Sequence, residues 1–261
     1  MIAAFKRWVH RQHWYVSLRY QPALYRLLEK RDSATLQRNA EELQFYQQLF
    51  KNSFDLAFDV GANHGHYARY FKRFAKRVVC VEPDAKSLRI LRVQFGAVSG
   101  VFVEPVAVGS EIGEADFFVE AAGSAYNTLS SKQRSHLNEI ANVAKHDMIK
   151  VSITTLDNLI IKYGTPTYIK IDVEGFEQKA IQGLSKPIPI ISFEANLPEF
   201  YNETLSIIDA LDRGDVTRYN LRLGNRFIFE QHVLRTNLFE KLNDKERITY
   251  DVFVFQHDLI Q

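Results

Sequence analysis

Between Phe54 and Val106 short apolar runs alternate with helix-like segments, and no other feature of the chain limits its fold so strongly. Leu56 to Val60 reads as a buried strand, His66 to Phe74 as a helix, Arg77 to Val81 as a strand, Ala85 to Phe95 as a helix and Val101 to Val106 as a third strand. Unbroken apolar runs suit strands covered on both faces, and parallel strands need right-handed crossovers between them. The expected class is therefore α/β, a mostly parallel, doubly wound sheet. The pattern resumes with a strand over Tyr168 to Ile171, a helix over Gly175 to Gly183, a fifth strand over Ile188 to Phe193 ending at Glu194, and a helix over Leu205 to Leu211. Near the C-terminus Tyr219 to Leu223, Phe227 to Glu230 and Tyr250 to Phe255 read as strands with a turn at Gly224-Asn225, an antiparallel hairpin closing the parallel sheet.

A chain of 261 residues, 46% hydrophobic, buries one substantial core, so one domain with an appendage is expected. Residues 1–50 form a helical extension and 51–261 the α/β domain, with 109–153 inserted near the active site where the pattern loosens. Within that insertion Ala115 to Val119 suggests a strand, Gly123 to Asn127 a loop and Lys132 to Asn142 a polar helix. The extension interleaves basic and aromatic residues, as in Phe5-Lys6-Arg7-Trp8 and Arg11-Gln12-His13-Trp14-Tyr15, and before Asp32 its only acid is Glu29. Two readings stand: residues 1–31 lie at an anionic membrane surface, or helices broken near Pro22 pack on the domain and cover its cleft. A net charge of +2 is too small for a nucleic-acid footprint, so no nucleic-acid partner is expected. No run approaches the length of a membrane span and no signal-peptide core is present, so a cytoplasmic location follows, with membrane contact at its inner face as the variant. The single cysteine, Cys80, sits in an apolar run and reads as core.

The chemistry concentrates at strand ends. Asp59-Val60-Gly61-Ala62-Asn63-His64-Gly65 lies where a strand passes into a helix, and Gly61 and Gly65 permit a sharp turn and close ligand approach at a helix N-terminus. About twenty residues on, Glu82 ends the second strand, where a carboxylate accepts from two ribose hydroxyls. Asp84 is the weaker ribose candidate and suits a helix cap. Nicotinamide and adenosylmethionine sites share these parts. Asp172 and Glu174, in Ile169-Lys170-Ile171-Asp172-Val173-Glu174-Gly175, separate them, because carboxylates there suit a sulfonium and its ammonium and repel phosphates.

These residues resemble the FkbM family of methyltransferases. The resemblance is carried by Phe58-Asp59-Val60-Gly61-Ala62-Asn63-His64-Gly65-His66-Tyr67, Val81-Glu82-Pro83, Val106-Ala107-Val108-Gly109, Thr155-Leu156-Asp157 and Ile169 through Glu177, and spans Phe54 to Asn196. It implies a Rossmann-like class I fold whose mostly parallel seven-stranded sheet ends in an antiparallel C-terminal strand. It further implies S-adenosylmethionine held by Asp59, Gly61, Asn63, Gly65 and Glu82, with Ala107 near the adenine and Ala62, Tyr67, Pro83 and Asp172 completing the cofactor set. The implied activity is O-methylation of a sugar, glycan or secondary-metabolite hydroxyl. His64 and His66 depart from the small or aliphatic residues usual in that turn.

An alcohol acceptor needs a base, and Asp172, Glu194, His64 and His136 are the candidates. Asp172 is preferred as base, with binding of the methionine ammonium as its alternative role; Glu174 orients the loop or caps a helix, and Glu194 with Asn196 faces the acceptor. Asp172, Glu174 and Glu194 also suit a divalent metal if they converge, so metal dependence stays open. Tyr126, Phe200, Tyr201 and Phe227 suit stacking on sugar rings or simple packing. Two rival readings are a nicotinamide-dependent oxidoreductase and a noncatalytic cofactor- or glycan-binding module.

Overall fold

Strand β1 (Phe54–Val60) pairs in parallel with β2 (Ala75–Val81) on one side and β7 (Tyr168–Ile171) on the other, and its last five residues are buried, as a central strand requires. The computed structural model describes residues 18–22, 24, 32–119, 127–135, 147–243 and 248–260. The principal sheet has eight strands in the order β10-β9-β11-β8-β7-β1-β2-β3. Here β3 is Val101–Glu104, β8 Ile190–Leu197, β9 Thr217–Leu223, β10 Arg226–Phe227 and β11 Ile248–Gln256. Strands β3, β2, β1, β7 and β8 run parallel, and β11 is antiparallel to both β8 and β9. The expected α/β sheet with an antiparallel C-terminal strand is thus present, extended by the two-residue β10.

Several boundaries differ from the sequence reading. Strand β8 does not stop at Phe193 but runs to Leu197, because β11 pairs with its other edge from Phe255↔Ile190 to Ile248↔Leu197 after β7 has ended opposite Phe193. The last strand enters the sheet between β8 and β9 rather than flanking a hairpin. The helix expected from His66 shrinks to α2 (Ala68–Phe71), since the backbone turns tightly through Asn63 and Gly65, both at positive φ. The loosely patterned insertion supplies a second sheet in the order β4-β6-β5, from Ala107–Val108, Asp147–Thr154 and Gly113–Val119. The polar helix expected there is seen only over residues 131–135, and the loop expected from Gly123 lies almost wholly outside the described residues.

Alternation along β1 sends Phe58 and Val60 to one face and Ala57 to the other. The first face packs on α4 (Leu156–Tyr163), α5 (Glu177–Gln182), α6 (Tyr201–Leu211) and α7 (Arg235–Leu242). The second packs on α1 (Ser33–Leu49), α2 and α3 (Ala85–Phe95) through Phe45, Tyr46, Phe71 and Leu91. Each such ring contributes about 1.5–3 kcal/mol by burial. Cys80 is buried on this second face, as expected. Asp32 caps α1 by accepting from the N–H groups of Ala34 and Thr35. Arg222 of β9 pins the helix, its guanidinium lying 2.5 Å from Glu42 of α1 and 3.3 Å from Asp251 of β11. The described part of the extension therefore packs on the domain, while its basic-aromatic run through Tyr15 lies outside the described residues. Among the described residues no helix is long and apolar enough to cross a membrane.

Arg222 is almost fully buried, so Arg222→Ala leaves the buried Glu42 without its cation and takes one from the partly buried Asp251. The variant is expected to lose about 3–5 kcal/mol in urea unfolding. A loss below about 1 kcal/mol would show that α1 docks through its aromatic rings alone.

Candidate active site

The turn after β1 is fixed by its neighbours on both sides. Gly61 and Ala62 both donate their N–H groups to Val81 O, at 2.9 and 3.0 Å. Gly61 has φ 82, and a Cβ there would fall on the carbonyl oxygen of Asp172, so glycine is required because the loop after β7 passes directly against it. Gly65, with φ 77, is required for a different reason: a Cβ would drive into the rings and methyls of Phe95 and Leu91 on α3. The sharp turn expected from the sequence is present at both positions, packing adds a second demand for glycine, and of the two Gly61 lines the cavity described next whereas Gly65 does not.

That cavity, of about 280 Å³, opens at the carboxyl ends of β1, β2 and β7. Gly61, Ala62, Asn63, His64, His66 and Tyr67 line it from the first loop, Glu82 and Pro83 from the second, and Asp172 and Glu174 from the third. Val106, Ala107, Val108, Phe117 and Leu129 give it an apolar wall, to which the second sheet contributes Ala107, Val108 and Phe117. Glu82 is 6% exposed and accepts from Asn63 N–H at 2.8 Å and Asp84 N–H at 2.7 Å, one bond on each oxygen. Each oxygen keeps a free lone pair for a ligand hydroxyl. Burial, partly offset by these bonds, pushes the Glu82 carboxyl up to about 7. Asp84 takes the capping role, accepting from Lys86 and Ser87 at the start of α3.

Asp59 lies beneath the loop rather than on the cavity wall. It is 1% exposed, pairs in register with Lys170, and accepts from the Ala68 N–H at the start of α2. Burial raises its carboxyl to about 7 against the pull of Lys170, and its Oδ2 has no hydrogen-bond partner among the described residues. Asp59 thus supports the loop from below and is not among the residues that line the cavity.

The acidic end is organised by residues that the sequence reading left without a role. Lys170 Nζ is 2.7 Å from Asp172 Oδ2 and 4.2 Å from the centre of the Tyr67 ring. Burial opposes its charge, but Asp172, Tyr67 and Asp251 outweigh that cost and hold its pKa high. Its one legible signal was a cation inside an apolar strand. Glu177 accepts from Val173 N–H at 3.0 Å and Gly175 N–H at 3.2 Å, holding the loop from within. Glu174, a non-glycine residue at φ 52, takes a 2.6 Å hydrogen bond on its carbonyl from Thr128 Oγ1. One carboxylate oxygen from each of Asp172, Glu174 and Glu194 lies within 4.8 Å of the others. Burial, then the neighbouring carboxylates, raises Glu174 strongly and Glu194 to about 8.

The structure therefore brings Asp172, Glu174 and Glu194 together, with Asn196 donating to Glu194 at 2.7 Å. His64 and His66 reach the cavity rim; the His64 Nδ1 contacts Tyr20 Oη at 3.4 Å, and His66 Nδ1 contacts Arg69 Nη2 at 3.1 Å. His136 and Tyr126 lie outside the described residues. Phe200 packs over Gly175, whereas Phe227 packs on Phe45 and Phe253, away from the cavity lining.

The Methyltransferase FkbM domain family matches residues 59–227, which include both loops and the acidic cluster. A search of curated proteins finds no match. Among solved structures, the methyltransferase FkbM from Methylobacillus flagellatus KT is similar with a TM-score of 0.47 at 17% identity, over 78% of this chain and 44% of that one. The chain thus spans less than half the length of that relative. A precorrin-6y C5,15-methyltransferase from Geobacter metallireducens GS-15 is similar at 0.41 and 9%, over 83% and 87%. The plantazolicin methyltransferase in complex with SAH is similar at 0.41 and 11%, over 92% and 93%.

Asp59, Glu82 and Glu177 each stand near 7 in the folded protein but ionise near 4 when unfolded. A raised acid favours folding fully below its unfolded pKa, and that contribution is lost as pH climbs to the folded value. The ligand-free protein is therefore expected to lose stability between pH 4.5 and 7, on the order of 3 kcal/mol per group. Glu82→Gln should flatten that slope in urea midpoints measured across the interval. An unchanged slope would mean that Glu82 is ionised throughout.

Proposed function

The chain belongs to the FkbM methyltransferase family, and from that premise we propose that it methylates a hydroxyl group of a sugar, glycan or secondary metabolite, with S-adenosylmethionine as donor. The observation that carries the acceptor class is the acidic cluster. Asp172 and Glu174 line the same cavity as Glu82, so a proton-accepting carboxylate stands in the compartment that the donor must enter.

The cavity fits the donor on its own chemistry. Glu82 offers one free lone pair per oxygen, which suits the two ribose hydroxyls, and Asn63 beside it is held by the Glu82 carboxylate. Val106, Ala107, Val108, Phe117 and Leu129 make an apolar slot for the adenine. Asp172, whose charge is compensated by a buried ammonium, suits the methionine ammonium or the acceptor proton. When bound, the cofactor supplies an electrophilic methyl group on a sulfonium. The remaining work falls to the chain: the loops align the two reactants, and a carboxylate takes the hydroxyl proton as the oxygen attacks. No planar, amide-holding arrangement accompanies these acids in the sequence; Asn196 and Leu197 end β8 instead, and Pro198 begins the turn after it.

Calorimetric titration with S-adenosylhomocysteine should show binding that Glu82→Ala weakens at least about tenfold, a loss of at least about 1.4 kcal/mol. Methyl-labelled cofactor should then leave alkali-stable label on glycans or polyols, as an ether does. Label confined to amines or to alkali-labile esters would overturn the hydroxyl assignment. Asp172→Asn separates its two roles: turnover down about a hundredfold or more with product affinity retained marks the base, whereas a matching fall in affinity marks the ammonium ligand.

A further inference from the structure

We infer that Asp172, Glu174 and Glu194, together with the amide of Gln133, form a binding site for a divalent cation of the magnesium or manganese type. The three carboxylates come from the end of β7 and from the middle of β8 beside it, since Ile171 pairs with Phe193 and the next residues are Asp172 and Glu194. All donors are oxygens, which selects a hard cation. Six oxygens about 2.1 Å from such an ion stand about 3 Å apart when adjacent and about 4.2 Å apart when opposed. The observed limit of 4.8 Å among the three carboxylate oxygens admits that arrangement with little movement.

Gln133 is the independent indication. It is 6% exposed, its Nε2 lies 3.5 Å from Glu174 Oε2, and its Oε1 has no hydrogen-bond partner among the described residues. A buried amide oxygen without a partner costs about 1–3 kcal/mol, so its persistence on an amide that reaches Glu174 asks for a ligand. A half-turn of the amide exchanges nitrogen for oxygen on the side of Glu174. Gly175 makes the approach feasible, because a Cβ there would stand 3.0 Å from Gln133 Cβ.

The charge balance points the same way. Lys170 is the cation bonded within this cluster, and its ammonium is already committed to Asp172. Glu174 and Glu194 are left to face one another with Gln133 and Asn196 as neutral donors. Their surroundings are held in advance: Glu177 fixes the loop through Val173 and Gly175, and Thr128 fixes the Glu174 carbonyl. Two of the three carboxylates also line the cavity, so open positions of the ion would face the acceptor. Coordination there lowers the pKa of a hydroxyl, and oxygen pairs such as vicinal diols would chelate. That catalytic role rests on the O-methylation reading, but binding of the ion does not.

The test is titration of the full chain with Mn²⁺, followed by the loss of the free-ion electron paramagnetic resonance signal, with and without S-adenosylhomocysteine. One competable ion per chain is expected, displaced by Mg²⁺. Glu174→Gln and Glu194→Gln should each weaken it at least about tenfold, and Gln133→Leu by a smaller factor. No uptake by the wild type in either condition at millimolar Mn²⁺ overturns the site, as does uptake that both glutamine variants leave unchanged. The product titration run on the same samples keeps the two readings apart: product binding without Mn²⁺ removes the metal site alone, and Mn²⁺ binding without product removes the donor assignment alone.

Discussion

A buried ammonium on the central strand holds the acidic half of the molecule together. Lys170 is 1% exposed, and a charge so placed would be expelled unless several partners shared it. Asp172 bonds it directly, the Tyr67 ring faces it, and Asp59 stands beside it in register on β1. Its field also reaches Asp251 on β11. Each of those groups belongs to a different segment, so one cation ties the loop after β1, the β7 loop and the antiparallel side of the sheet. The site acids are tolerable in a partly buried place because this charge is present.

A second constraint follows from the way the loops cross. The turn after β1 and the loop after β7 are in backbone contact at Gly61 and Asp172, with no room for a side chain between them. The turn after β1 and the acidic half therefore cannot shift independently. Displacing Asp172 displaces the turn that carries Asn63, and Asn63 is the residue whose N–H holds Glu82. Geometry at Glu82 and geometry at the acidic cluster are coupled through a single glycine contact.

What could be read from the sequence was local. The strand-to-helix turn at Gly61, the acid at the end of β2 and the acids at the end of β7 are each written in a few consecutive residues, and β-periodicity places them at strand ends. What could not be read depends on pairing across the chain. The length of β8 is set by β11, more than fifty residues later, so Glu194 lies inside a strand that the apolar run alone ends before it. The role of Gly65 is set by Phe95 and Leu91, and the position of Asp59 by Lys170. Nothing near Thr128 or Gln133 marks them as neighbours of Glu174, from which 46 and 41 positions separate them. The nicotinamide reading shared the local features and gave way to membership of a methyltransferase family.

The two halves of the cavity are built by different means, and that difference bears on how such an enzyme acquires its acceptor. The half around Glu82, where the donor is proposed to sit, comes mainly from one stretch, from Gly61 to Val108, whose first strands and turns fix one another in parallel register. The acidic half is assembled from Thr128, Gln133, the β7 loop and β8, the first two contributed by the described residues between the strands of the second sheet. A contiguous, mutually paired stretch resists change, because altering one member misplaces the next. The insertion lies outside that register, since its strands pair in a sheet of their own. Changes in the insertion can therefore reshape what meets the acids while leaving the donor seat intact, which is the separation a methyltransferase fold needs to serve different acceptors.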